Sequence, residues 1–190
     1  MRELILGGQK SGKSRRAEAL AAEWLAVDTV RHAVLLATAQ AGDPEMGGRI
    51  ARHQQDRLQR VPRMRTVEEP LYVAQALASH SHAGTLVVVD CMHLWLANWW
   101  MPQDAMNDDS KEAYRHDWNK EFAMFLEAFD RASGPVILVS NEIGLGVIPL
   151  GSEVRAFVDR LGSLNQALAR HADRVTLMAA GLPLFLKGQT

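Results

Sequence analysis

Residues 4–14, Leu-Ile-Leu-Gly-Gly-Gln-Lys-Ser-Gly-Lys-Ser, constrain the fold of this chain more than any other stretch. A short apolar run, Leu4 to Leu6, breaks into the spacing G-x-x-x-x-G-K-S from Gly7 to Ser14, and a helical pattern starts at once. Strand, glycine loop and helix in that order are what a phosphate-binding loop requires. Successive backbone N–H groups of such a loop make a concave anion site, and the positive end of the next helix adds to it. Gly7, Gly8, Gln9, Lys10, Ser11, Gly12, Lys13 and Ser14 are therefore the expected nucleotide cradle. Lys13 is expected to reach the outer phosphates, and the Ser14 hydroxyl to hold Mg²⁺. A glycine turn with a solvated lysine would leave both flanks unexplained.

The rest of the chain alternates strand and helix patterns. Helices are expected at 13–26, 45–60, 70–79, 111–131 and 152–171. Apolar runs at 33–39, 85–90 and 136–140 read as strands covered on both faces, with a shorter strand at 64–68. Turns are expected at Gly42-Asp43-Pro44 and over 80–84, and a polar loop over 102–110. The segments 174–179 and 183–187, joined by a turn at Gly181, read as a hairpin, so the last strand should be antiparallel. The expectation is one α/β domain spanning 1–190, with a mainly parallel sheet of about seven strands. The run Thr85 to Val89 closes on Asp90, where the second acid of a phosphate-loop fold reaches the Mg²⁺ shell. The segment 91–101, with Trp95, Trp99 and Trp100, reads first as core, and the stripe Trp118, Phe122, Phe125, Phe129 reads the same way.

Charge and cysteine content exclude several classes. A formal net charge of −1 gives no basic surface for nucleic acid. The single cysteine, Cys91, rules out an internal disulfide and a paired-cysteine metal site, and fits a reducing cytoplasm. The N-terminus does not read as a signal peptide, and no apolar run approaches the roughly 20 residues of a membrane span. His80 and His82 lack a third ligand nearby and are not read as a metal site. Arg49, Arg52, Arg57, Arg60, Arg63 and Arg65 make one neighbourhood basic. Such a run reads as a solvated face; beside a phosphate loop it could also face an anion. In the helix over 45–60, Met46, Ile50, His53 and Arg57 share a face, which puts His53 on the half-buried side.

These patterns lead to a Mg-nucleotide site and leave three classes open: a kinase or nucleotidyltransferase, an ATP-driven motor, and a GTP-dependent switch. No N-K-x-D guanine motif is present, and the charge balance gives no support to a motor working on nucleic acid. Further stretches then carry a resemblance. They are Gly7 to Arg15, Leu36-Ala37-Thr38-Ala39-Gln40, Arg49-Ile50-Ala51-Arg52-His53 and Ser140-Asn141-Glu142-Ile143-Gly144-Leu145-Gly146-Val147-Ile148-Pro149, with Asn165-Gln166, Ala172-Asp173 and Pro183 to Gly188 in the tail. The chain resembles the bifunctional adenosylcobinamide kinase / adenosylcobinamide-phosphate guanylyltransferase family of cobalamin biosynthesis, over nearly its whole length.

The resemblance implies a RecA-like three-layer α/β/α fold of the P-loop NTPase class, a homotrimer, and two reactions. A nucleoside triphosphate, ATP or GTP, phosphorylates adenosylcobinamide. GMP then passes from GTP to the resulting phosphate, releasing pyrophosphate. The second reaction implies GMP held covalently on His53, with Lys13 as the other catalytic residue. The implied nucleotide contacts are Gly7 to Ser14, Ala37, Thr38, Ala39, Gln54, Gln55, Asp56, Arg57, Glu68 and Asp90, with Ser14 and Asp90 on Mg²⁺. A neutral imidazole is a competent nucleophile at neutral pH, and a covalent intermediate splits one hard transfer into two. Another small-molecule kinase of the P-loop class, or a nucleotide-dependent binding switch without transfer chemistry, is the competing reading.

Overall fold

The protein is described by a computed structural model over residues 1–40, 44–100 and 108–188. In chain order its elements are β1 (Arg2–Gly7), α1 (Lys13–Val27), β2 (His32–Ala37), α2 (Pro44–Arg60), β3 (Met64–Glu68), α3 (Val73–His80), β4 (Thr85–Asp90), α4 (Met92–Trp100), α5 (Asp108–Asp130), β5 (Val136–Val139), α6 (Ser152–His171), β6 (Arg174–Ala179) and β7 (Leu182–Lys187). The strands form one sheet in the order β3-β2-β4-β5-β1-β6-β7. Neighbours run parallel except β6 and β7, which pair antiparallel as the short connection requires. Ala180 and Gly181 turn that corner with φ of 51° and 81°. Two successive positive φ values match the twist of a tight hairpin.

The central runs of the inner strands are apolar on both faces because each face has its own core. Leu4, Leu36, Val87, Val89 and Leu138 pack against α3, α4, α5 and α6. Ile5, Leu35, Val88, Ile137 and Val139 pack against α1 through Ala17, Leu20, Ala21 and Leu25. The alternation along each strand gives the three layers. All loops at the carboxyl ends of β1, β2, β4 and β5 therefore leave the sheet on one edge, where parallel α/β sheets bind ligands.

The tryptophan and phenylalanine stripes are core, as their spacing implies. Trp95 is wholly buried, with ring centroids 4.7 Å from Trp118 and 4.9 Å from Phe125. Its indole N–H donates to the Leu71 carbonyl at 2.8 Å. Trp95→Ala should lower the stability of the fold by about 3–5 kcal/mol, read as a shift in denaturant midpoint without a change of slope.

Two elements differ from expectation. Helix α3 starts at Val73, not at Pro70, because the Glu69 carboxylate accepts the N–H groups of Leu71 and Tyr72 at 3.0 and 2.8 Å and holds that stretch as a turn. Residues 92–100 form a helix that periodicity could not announce, since the segment is apolar on most sides. Gly42 and Asp43, Met101 of the apolar segment, and residues 102–107 of the loop expected over 102–110 lie outside the described residues.

Candidate active site

The glycine loop leaves β1 where the strand turns sharply. Gly7 has φ 153°, Gly12 has φ 99°, and Lys10 takes a left-handed φ of 57°. A Cβ on Gly7 would stand 2.5 Å from Ser11 Oγ and 2.6 Å from the Met178 carbonyl oxygen. Gly7→Ala should therefore distort the loop and cost about 1–3 kcal/mol; thermal unfolding and nucleotide affinity should fall together. The hairpin β6–β7 braces the loop from the other side, with the Gly181 N–H donating to the Ser11 carbonyl at 3.0 Å.

The N-terminus of α1 is open to an anion. Gly12 at its N-cap offers no side-chain acceptor, and no acid sits in the first turn. Its first N–H groups and dipole thus face the loop without a protein carboxylate to neutralise them. The Ser11 hydroxyl is buried with no hydrogen-bond partner among the described residues, which suits a ligand oxygen. Lys13 is buried, and its Nζ folds over the loop to the Gly8 carbonyl at 2.6 Å. Burial pushes its pKa down, opposed by the negative charge of Asp90.

Asp90 ends β4 and receives a hydrogen bond from the Ser14 hydroxyl. Burial pushes its pKa up, while Ser14, Arg57 and His53 pull it back. The two expected Mg²⁺ ligands are thus in contact. Among the described residues no group of three His, Cys, Asp or Glu side chains could hold a metal unaided. A Mg²⁺ ion here would depend on nucleotide oxygens for most of its shell, as that ion commonly does.

Helix α2 brings the remaining candidates to this edge. Arg57 is largely buried, donates to Thr66 Oγ1 at 3.0 Å, and lies 3.9 Å from the Glu18 carboxylate on α1. Arg60 donates to Glu18 at 2.8 Å and to Asp56 at 3.1 Å. Gln54 Nε2 reaches Glu68 at 3.3 Å, and Gln55 is exposed. His53 is also exposed, which corrects the expectation of a half-buried position. The contacts that anchor α2 are ionic and gathered on its last turns, so the shared face is covered at Arg57 and open one turn earlier. His53 nevertheless stands close enough to Asp90 to oppose, with Ser14 and Arg57, the rise in pKa that burial imposes on that acid.

The basic run divides. Arg63 ties β3's entry to the carbonyls of Leu25, Thr29 and Arg31, and Arg65 meets His80. Those arginines serve the fold. Thr38 does too: it is fully buried, its hydroxyl donates to the Cys91 carbonyl at 2.7 Å and accepts the Cys91 N–H at 2.9 Å. Ala37 is half-buried at the end of β2 beside Glu68 and Asp90, and Ala39 follows Thr38.

A polar chain that the sequence does not announce crosses the same edge. Cys91 Sγ lies 2.9 Å from His93 Nδ1, and His93 Nε2 lies 3.2 Å from Asn141 Nδ2. Asn165 on α6 donates to the Asn141 carbonyl at 3.0 Å and accepts the Ser140 hydroxyl at 2.7 Å. The signal for Asn165 was its position inside an otherwise apolar helix stripe.

Comparisons with known proteins place the chain in a family. The family described as cobinamide kinase / cobinamide phosphate guanyltransferase matches residues 3–186. The chain is similar to the bifunctional adenosylcobalamin biosynthesis protein CobP of Pseudomonas aeruginosa, with 49% identity over 100% of this chain and 99% of that protein. It is 31% identical to CobU of Escherichia coli and 30% to CobU of Salmonella typhimurium, over 97% of this chain and 98% of each. The flagellar accessory protein FlaH from Methanocaldococcus jannaschii shares the fold alone, with a TM-score of 0.50 and 12% identity over 99% of this chain and 78% of that one. The glycine loop, the Ser14–Asp90 pair and the full-length match together mean that the chain belongs to the cobinamide kinase / cobinamide phosphate guanyltransferase family of transferases.

Proposed function

We propose that this protein carries out both reactions at one loop, using a covalent GMP intermediate on His53. In the first, the aminopropanol hydroxyl of adenosylcobinamide attacks the γ-phosphorus of a nucleoside triphosphate, and the nucleoside diphosphate leaves. In the second, a ring nitrogen of His53 attacks the α-phosphorus of GTP, and pyrophosphate leaves. The phosphate of adenosylcobinamide phosphate then attacks the same phosphorus. The P–N bond breaks, the imidazole is restored, and adenosylcobinamide-GDP is released. The observation that carries the reading is the placement of an exposed histidine within electrostatic reach of the acid that hydrogen-bonds Ser14.

Each residue has a task in this scheme. The open N-terminus of α1 and the loop take the phosphates, and Lys13 neutralises charge developing on them. Ser14 and Asp90 would hold Mg²⁺, which when bound supplies positive charge to the phosphate oxygens. Arg57, anchored by Glu18 and Thr66, adds a second fixed cation on the α2 side. Gln54 and Glu68 form a hydrogen-bonded pair at the rim, suited to orienting the nucleoside.

We read the protein as a cytoplasmic homotrimer. Val147 and Leu150 are 96% and 97% exposed in the loop after β5, a cost that a partner copy would relieve. No described helix is long and apolar enough to cross a membrane.

The test of the central step uses GTP labelled on its α-phosphate, with Mg²⁺. After denaturation, label should stay on the wild-type chain and be released by acid, as a P–N bond requires. A chain that consumes GTP and cobinamide phosphate without ever retaining label sinks the covalent route.

A further inference from the structure

The strand order puts β5 between β1 and β4. Residues leaving its carboxyl end therefore stand between the phosphate loop and Asp90. Val139 is level with Ile5 on one side and with Asp90 on the other. The ladder to β1 continues past the strand, with the Ser140 N–H on the Ile5 carbonyl at 2.9 Å and the Glu142 N–H on the Gly7 carbonyl at 3.0 Å. Asn141 lies between those two rungs, beside the first residue of the loop. Ile137 and Val139 face the α1 side, and the same alternation carries on to Asn141. Leu86 and Val88 show that parity in β4, which puts Asp90 on that side as well.

The polar chain holds Asn141 at this place. Its carbonyl is fixed by Asn165, which is itself buried and fixed by Ser140. With the Asn141 amide donating to His93 Nε2, the ring proton resides on Nδ1 and points at Cys91 Sγ. One amide N–H of Asn141 is thus engaged, while its second N–H and its Oδ1 have no hydrogen-bond partner among the described residues. Burying asparagine and histidine in two apolar stripes is unfavourable unless their bonds are made, and here four elements converge to set one side chain.

We propose that Asn141 contacts the acceptor hydroxyl and the transferring γ-phosphoryl group in the kinase reaction, with His93 and Asn165 as positioning residues acting through it. This rests on the two-reaction reading above. Asn141 Oδ1 accepts the hydrogen bond of the incoming hydroxyl and aligns it; the second N–H donates to a γ-phosphoryl oxygen. The hydroxyl oxygen bonds to the γ-phosphorus, and the bond to the bridging oxygen breaks. The nucleoside diphosphate leaves, and the hydroxyl proton ends on the transferred phosphoryl group. Attack by His53 at the α-phosphorus comes from the α2 side and does not call on Asn141.

The experiment compares two labels on one protein. Transfer of γ-labelled phosphate to cobinamide reads the kinase; retention of α-label on the denatured chain reads the step at His53. In Asn141→Ala the ratio of kinase rate to guanylylation rate should fall about 100-fold, in kcat more than in the KM for nucleotide. His93→Ala should fall in the same direction by about 10-fold, and His93→Gln, which can still accept from the amide, should recover most of that loss. Equal loss of both activities in Asn141→Ala means a structural role and overturns the proposal, as does an unchanged kinase. A wild-type chain that transfers no γ-phosphate to cobinamide overturns the two-reaction reading and this proposal with it. A competent wild type beside an equally competent Asn141→Ala overturns this proposal alone.

Discussion

His53→Ala is expected to abolish the covalent label from α-labelled GTP while leaving the fold and the phosphorylation of cobinamide in place. The side chain is exposed, and α2 is held elsewhere, through Arg57 and Arg60 on Glu18. Truncating it should change stability by no more than about 0.5 kcal/mol, so the melting temperature serves as the control. The loss of label should be complete, because the other described imidazoles are placed differently. His93 is enclosed between Cys91 and Asn141, and His80 meets Arg65 at the opposite edge of the sheet, before β4 begins. Guanylyl transfer to cobinamide phosphate should fall by at least about 10³-fold, since removing a nucleophile removes the two-step route. Kinase turnover should survive within a few fold, because the hydroxyl attacks the γ-phosphorus directly. Label that persists in His53→Ala would place the intermediate elsewhere and end the assignment.

How much of this could be read from the residues depends on how local each feature is. The phosphate loop was legible because eight consecutive residues and two flanks specify it. The Asp90 assignment followed from a local pattern, an apolar run closed by an acid, and the strand order puts it one strand away from the loop. The hairpin was legible from the short connection at Gly181. Helix α4 was not, because an all-round apolar segment has no period to detect. The exposure of His53 was missed for a related reason. A shared helical face says which residues point together, not whether anything covers them, and the cover over α2 is a carboxylate on another helix. The basic run illustrates the same limit: Arg63 and Arg65 are absorbed by backbone carbonyls and a histidine that lie far away in sequence. Asn141, His93 and Asn165 come from three separated stretches, and only the strand order brings them to one place.

Lys13→Met should disable both reactions and, without nucleotide, make the protein more stable. In the folded state burial lowers the Lys13 pKa below its ordinary value. Between the folded and unfolded pKa the unfolded chain binds more protons, so stability rises with pH through that window and the charged form is the costly one below it. Asp90 is the mirror case. Its folded pKa is raised, the folded state binds more protons across its window, and stability falls as pH rises through it. For both groups burial makes the charged form the costly one, which is what a site built for a ligand's charge does. Replacing Lys13 with an apolar side chain of similar length removes that cost and should raise the melting temperature of the nucleotide-free protein. It also removes the cation over the phosphates. In the wild type a nucleotide at about 100 times its Kd should add about 2.7 kcal/mol to stability. In Lys13→Met at the same concentration that increment should largely vanish, and kcat/KM for phosphoryl transfer and for self-guanylylation should each fall by about 10³-fold. The same fall in both is the informative part. His53→Ala separates the two activities, whereas Lys13 sits where the two reactions share their phosphates. A variant that kept one activity near wild type would mean that the reactions use different loops, contrary to a single cradle at Gly7 to Ser14.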